Sequence, residues 1–150
     1  MNFIYLVQHI AILAKKRKLL DKIISGEKTI ESRWYKSKVS PWNKIKEGEI
    51  VYFKESGDPV SVKAEVEKVL FFENLDLEKV KDIVNKYDDQ IALSKNRDDK
   101  FWKYFDNRKY CILIFLKNIQ EIDPFNINKK GFGLMSAWIC VDDVNRIKIV

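Results

Sequence analysis

The chain has 150 residues, enough for one domain with a sizeable core, and pairs 46% hydrophobic with 33% charged residues, which excludes a disordered tail. No stretch of about 18 uncharged apolar residues occurs, so no membrane helix is expected, and one histidine with two separated cysteines excludes an ordinary transition-metal centre. The net charge of +6 is uneven: residues 15–54 hold 12 Lys/Arg against 5 Asp/Glu, which points to an anionic partner such as nucleic acid.

Phe3 to Leu13 is rich in β-branched and aromatic residues and reads as a buried strand. Its positive charges, Lys15 to Lys18, follow the apolar run, opposite to a signal peptide. Lys15 to Ser25 reads as a helix, with Leu19/Ile23 and Leu20/Ile24 on one face and Gly26 at its C-terminal end. Thr29 to Tyr35 reads as extended, which puts Glu31 and Arg33 on one side and Ile30, Ser32 and Trp34 on the other. Pro41 to Gly48 is a loop that carries Trp42. Ile50 to Lys54 is a strand closed by a turn at residues 55–59. Val60 to Leu70 alternates, with Val60, Val62, Ala64 and Val66 inward.

Asp76 is placed to cap a helix with Leu77, Val80, Ile83, Val84 and Tyr87 on its apolar face. Asp98 to Phe105 forms a second short helix. Tyr110 to Leu116 is a continuous apolar run, hence a strand buried on both faces, and one or two strands fill Ser136 to Val150. Lys129 to Gly133 is a flexible loop. The order implies a single α+β domain over residues 1–150, built on a small, mostly antiparallel β-barrel or sheet with flanking helices. Cys111 and Cys140, each inside an apolar run, read as packed free thiols of a cytoplasmic protein.

Chemistry concentrates in Gly26 to Arg33, G-E-K-T-I-E-S-R. A carboxylate beside an arginine orients it by a charge-assisted bond, and the Arg or Lys28 can then hold a phosphate or a base edge. The alternative is a structural ion pair that fixes the helix–strand junction. Trp34, Lys36 and Trp42 interleave aromatic and basic groups, as a surface that stacks bases and neutralises phosphates does. Trp42, after a proline in a loop, is the better stacking candidate, whereas Trp34 shares a side with Ile30. Lys54 and Ser56 end a strand and supply a cation and a hydroxyl.

The segment matches the G-x-K-x-x-E-x-R signature of the ASCH family at Gly26, Lys28, Glu31 and Arg33. The stretch Trp34 to Val60, with its K-E-S-G-D-P-V turn, and the later Y-C-I-L-I-F-L and D-P-F segments resemble that family as well. The resemblance implies a PUA-like barrel with a cleft over the motif, and binding of RNA or a nucleotide-like ligand without a cofactor, in translation or RNA modification. Some relatives are amidohydrolases that deacylate N4-acetylcytidine, and others have been assigned nuclease activity. In the amidohydrolases a lysine, a threonine and a glutamate act. Lys28 matches the lysine, but Glu31 stands in the threonine's place, and Glu73 and Glu78 are the candidates for the distant glutamate. If the chain is an enzyme, Lys28 and Glu31 are its catalytic pair.

Overall fold

Among the described residues seven strands form one strongly curled, mixed sheet, in the order β2–β5–β4–β3–β1–β6 with β7 beside the far end of β5. They are β1 (Gln8–Leu13), β2 (Ile30–Tyr35), β3 (Ile50–Glu55), β4 (Val60–Phe72), β5 (Tyr110–Ile127), β6 (Trp138–Val141) and β7 (Lys148–Ile149). The structure, a computed structural model, describes residues 6–133 and 135–149. β1 and β3 run parallel, and the other strand pairs among the described residues are antiparallel. The helices are α1 (Leu19–Ser25), α2 (Leu77–Lys86), α3 (Asp88–Ile91) and α4 (Asp99–Lys103). Among the described residues no helix is long and apolar enough to cross a membrane.

Alternation along the strands sorts the apolar side chains into layers. On β5, Ile112, Ile114 and Leu116 enter the main core inside the curl, where they meet Ala11, Val51, Phe53, Val62 and Trp138. Their neighbours Cys111 and Leu113 face outward into a second core, which Ile30, Trp34, Val80, Val84 and Phe105 complete. α2 to α4 therefore lie on the outer face of the sheet, beside β2 and β5.

Several expectations are adjusted by local physics. The strand expected from Phe3 is assigned from Gln8, and residues 3–5 lie outside the described part. The helix expected over Lys15 to Ser25 is broken: Lys15–Arg17 form a 3-10 turn, and Lys18 turns left-handed at φ +52° before α1 begins. Only Leu20 and Ile23 of α1 are buried, and Ile24 faces solvent. Gly26 ends α1 at φ +83°, the backbone region glycine tolerates best. Leu77 is 46% exposed, so the buried face of α2 begins at Val80. β5 runs on to Ile127 because its second half has one solvated face, a pattern without the uniform apolarity of Tyr110 to Leu116.

One polar cluster is sealed inside the curl. His9 is fully buried, and its Nε2 donates to Glu49 Oε1 at 2.8 Å while its Nδ1 accepts from Trp138 Nε1 at 3.0 Å. Glu49 also accepts from the backbone N–H groups of Val7 and Lys46. These bonds require a neutral imidazole, protonated on Nε2.

Burial outweighs the pull of Glu49 and holds the His9 pKa below its ordinary 6.5. The unfolded chain then takes up the proton first as pH falls. Stability from neutral His9 is present above about pH 6.5 and lost below it. Urea unfolding between about pH 7.5 and 5.5 will show this loss, and His9→Gln will flatten the slope across that window.

Candidate functional site

The motif is stitched to three elements before any side chain acts. Lys28 N donates to Lys22 O of α1 at 2.9 Å, Thr29 N to Gln90 O of α3 at 3.0 Å, and Leu116 N of β5 to Thr29 O at 3.0 Å. The chain thus leaves α1 at Gly26 and enters β2 in a fixed direction. Along β2, Glu31 and Arg33 point to the inside of the curl, and Ile30 and Trp34 to the helices.

Lys28 is 2% exposed. Its Nζ donates to Ile30 O at 2.8 Å and Ile91 O at 2.7 Å, and lies 3.9 Å from Glu31 Oε1. Arg33 Nε lies 3.8 Å from the same oxygen, too far for a hydrogen bond. Glu31 is 3% exposed, and its Oε2 has no hydrogen-bond partner among the described residues. Burial lowers the Lys28 pKa from 10.5; Glu31 opposes that shift, and Arg33, Lys22 and Arg17 add to it.

β2 and β6 are the two open edges of the sheet, and Arg33 spans them. Its Nη1 donates to Ala137 O at 3.4 Å, and its guanidinium lies 5.0 Å over the Trp138 ring. Two adjoining cavities open above β2. The larger, about 600 Å³, is lined by Lys28, Glu31 and Trp34 together with Lys22, Asn96 and Phe101. The smaller, about 430 Å³, adds Arg33, Ser56, Arg108 and Lys129. Both share Arg17, Glu31, Ser32, Trp34 and Tyr104. Arg17 and Arg108 both sit against the Tyr104 ring, at 5.8 and 4.2 Å. The combined space suits a nucleotide-sized molecule.

The sequence-predicted residues divide accordingly. Lys28, Glu31, Arg33, Trp34 and Ser56 line the cleft. Trp34 is 5% exposed and packs edge-on to Phe105 at 4.8 Å, so it shows the cleft little of its surface. Trp42 is in the main core, edge-on to Phe71 and Tyr110, and lines neither cavity: the loop that carries it folds inward. Lys36 is exposed just past β2 and lines neither cavity. Lys54 is half-buried, its pKa lowered by burial and by Lys129 nearby. Glu73 pairs with Lys38 at 3.6 Å, Glu78 is exposed, and neither lines the cleft. Arg17, Tyr104 and Arg108 were not singled out from sequence, because lone charged and aromatic residues in turns carry no spacing signal. Among the described residues no group of three metal-ligating side chains occurs.

No family model matches the chain, and no curated protein sequence matches it. The solved structure of the ASCH protein from Zymomonas mobilis superimposes with a TM-score of 0.62 at 18% identity, over 88% of this chain and 85% of that one. A single-residue variant of that protein gives 0.63 at 17% identity over 88% of each chain. A second variant gives 0.59 at 18% identity, over 79% and 73%. The chain has the ASCH fold. The α+β, PUA-like fold that the resemblance implies is observed, with the expected small barrel left unclosed as a strongly curled half-barrel.

Replacing Lys28 by Met removes two charge-assisted bonds that tie α3 to β2, and will cost about 3 kcal/mol in urea unfolding. Hydrogen exchange in that variant will rise first in residues 88–96, next to the severed Ile91 carbonyl.

Proposed function

We propose that this ASCH-fold protein binds RNA or a nucleotide in the cleft over Gly26–Arg33. One observation carries the reading: Glu31 Oε2, buried at the cleft floor with no hydrogen-bond partner among the described residues. An anionic oxygen left so is costly unless a ligand supplies a donor. The exocyclic amine of cytosine, adenine or guanine is such a donor, and carboxylates accept from cytosine N4 in base recognition. Arg17, Arg33 and Arg108 line the cleft as phosphate partners. Tyr104, 44% exposed, is the aromatic face best placed to stack a base. The ASCH fold and the basic excess of residues 15–54 support the same reading.

Calorimetry with the four ribonucleoside monophosphates tests it. CMP, AMP or GMP will bind about tenfold or more tightly than UMP, which lacks the amine. Affinity will fall with salt. Glu31→Gln will erase the preference, and Arg33→Ala will weaken all four. Equal binding of all four by the wild-type protein would overturn the role of Glu31.

A hydrolase reading rests on a different observation: Lys28, with its pKa lowered, lies 3.9 Å from Glu31 and lines the same cavity. A neutral amine there would serve as a general base against an N4-acylcytidine or an RNA phosphodiester. Turnover of either substrate by the wild-type protein, lost in Lys28→Met with the fold retained, is the outcome this reading requires.

A further inference from the structure

A third cavity, about 670 Å³, adjoins the smaller cavity of the motif cleft along Tyr35, Ser136 and Ala137 and runs beside β6. Its wall includes Tyr35, Ser40, Lys44, Phe132 and Cys140. Cys140 is half-buried, unlike Cys111, which is fully enclosed. Cys140 is the cross-strand partner of His9, and its Sγ lies 3.5 Å from His9 Nδ1. The opposite nitrogen of that ring is held by Glu49 at 2.8 Å. A thiol, an imidazole and a buried carboxylate thus stand in line, with the thiol at a cavity wall. We propose that Cys140, His9 and Glu49 form a second, nucleophilic site, beside the cleft over the motif and built from other side chains, that accepts an acyl group from a thioester.

Three further groups surround the sulfur. Trp138 and Ser40 side chains are within hydrogen-bond reach of Cys140, and the Lys44 ammonium lies near. All three favour a thiolate. Burial, with a smaller contribution from the Glu49 charge, opposes them and holds the resting thiol above its ordinary range, while His9 rests neutral. The pair is therefore an uncharged thiol beside an uncharged base, and the proton moves during attack. Trp138 Nε1–H permits that movement. It donates to His9 Nδ1 at rest, and it reaches the sulfur once Nδ1 has taken a proton. Glu49 then faces an imidazolium, which its carboxylate stabilises.

The step balances without a further reactant. Cys140 Sγ bonds to the thioester carbonyl carbon while His9 Nδ1 takes the thiol proton. The carbon–sulfur bond of the thioester breaks, and the proton leaves on the departing thiol. The products are S-acylated Cys140 and one free thiol. A thioester suits the site because attacking and leaving groups are both sulfur, so no strong acid is needed.

The test is acylation by acetyl-N-acetylcysteamine, followed by intact mass and peptide mapping of the full chain. Cys140 in the folded protein will react roughly a hundredfold faster than either cysteine in urea, the gain general-base assistance provides. Cys111 will stay unmodified. His9→Gln will remove the gain. Ser40→Ala and Lys44→Ala, outside the buried network, will keep the fold by circular dichroism and slow acylation several-fold. Acylation of folded Cys140 no faster than in urea, or a gain unchanged in both loop variants, overturns the proposal.

Discussion

The cleft depends on one ammonium group kept out of water. Lys28 is bound by two main-chain carbonyls from different elements, Ile30 of β2 and Ile91 of α3, with Glu31 as a distant counter-charge. Burying a cation is costly, and two carbonyl dipoles with one carboxylate offset that only in part. The incomplete compensation appears as the lowered Lys28 pKa and the unpartnered Glu31 Oε2. Local strain of this sort is a common signature of a place held ready for a ligand. The surrounding backbone bonds, from α1, α3 and β5 to residues 28 and 29, keep the arrangement from relaxing.

The second organising feature is the unclosed sheet. Curvature brings β2 and β6 close without pairing them, and Arg33 bridges the space to Ala137 and Trp138. Polar groups that would be starved of partners in a closed barrel thus open onto adjoining cavities. The motif cleft and the cavity at Cys140 adjoin along this opening, sharing Tyr35, Ser136 and Ala137. His9 and Trp138 belong to the interior, with Trp138 contacting both Arg33 and His9.

Much of this was legible in the sequence. Alternation at Val60 to Val66 and the apolar run at Tyr110 to Leu116 gave true strands, because burial on one or two faces writes itself into residue order. The side assignment on β2 followed from the two-residue period, and Glu31 and Arg33 do share a face. Tertiary placement was not legible. Trp42 looked like a loop aromatic available for stacking, yet the loop packs it between Phe71 and Tyr110, residues far away in sequence. Lys18 interrupted a helix that propensity alone would have continued. His9 and Cys140, 131 positions apart, meet only because β1 and β6 pair.

Leaving a barrel unclosed exposes two strand edges, and bare edges recruit strands from neighbouring molecules. On β2 the residues nearest that danger are Glu31 and Arg33, both charged and both turned inward at the opening. A foreign strand that slid into the space between β2 and β6 would have to strip water from this pair and displace the guanidinium from Trp138. The charges at the proposed ligand cleft therefore also make it a poor place for another copy of the chain, so that a single pair of side chains serves both the proposed binding and the guarding of an open edge.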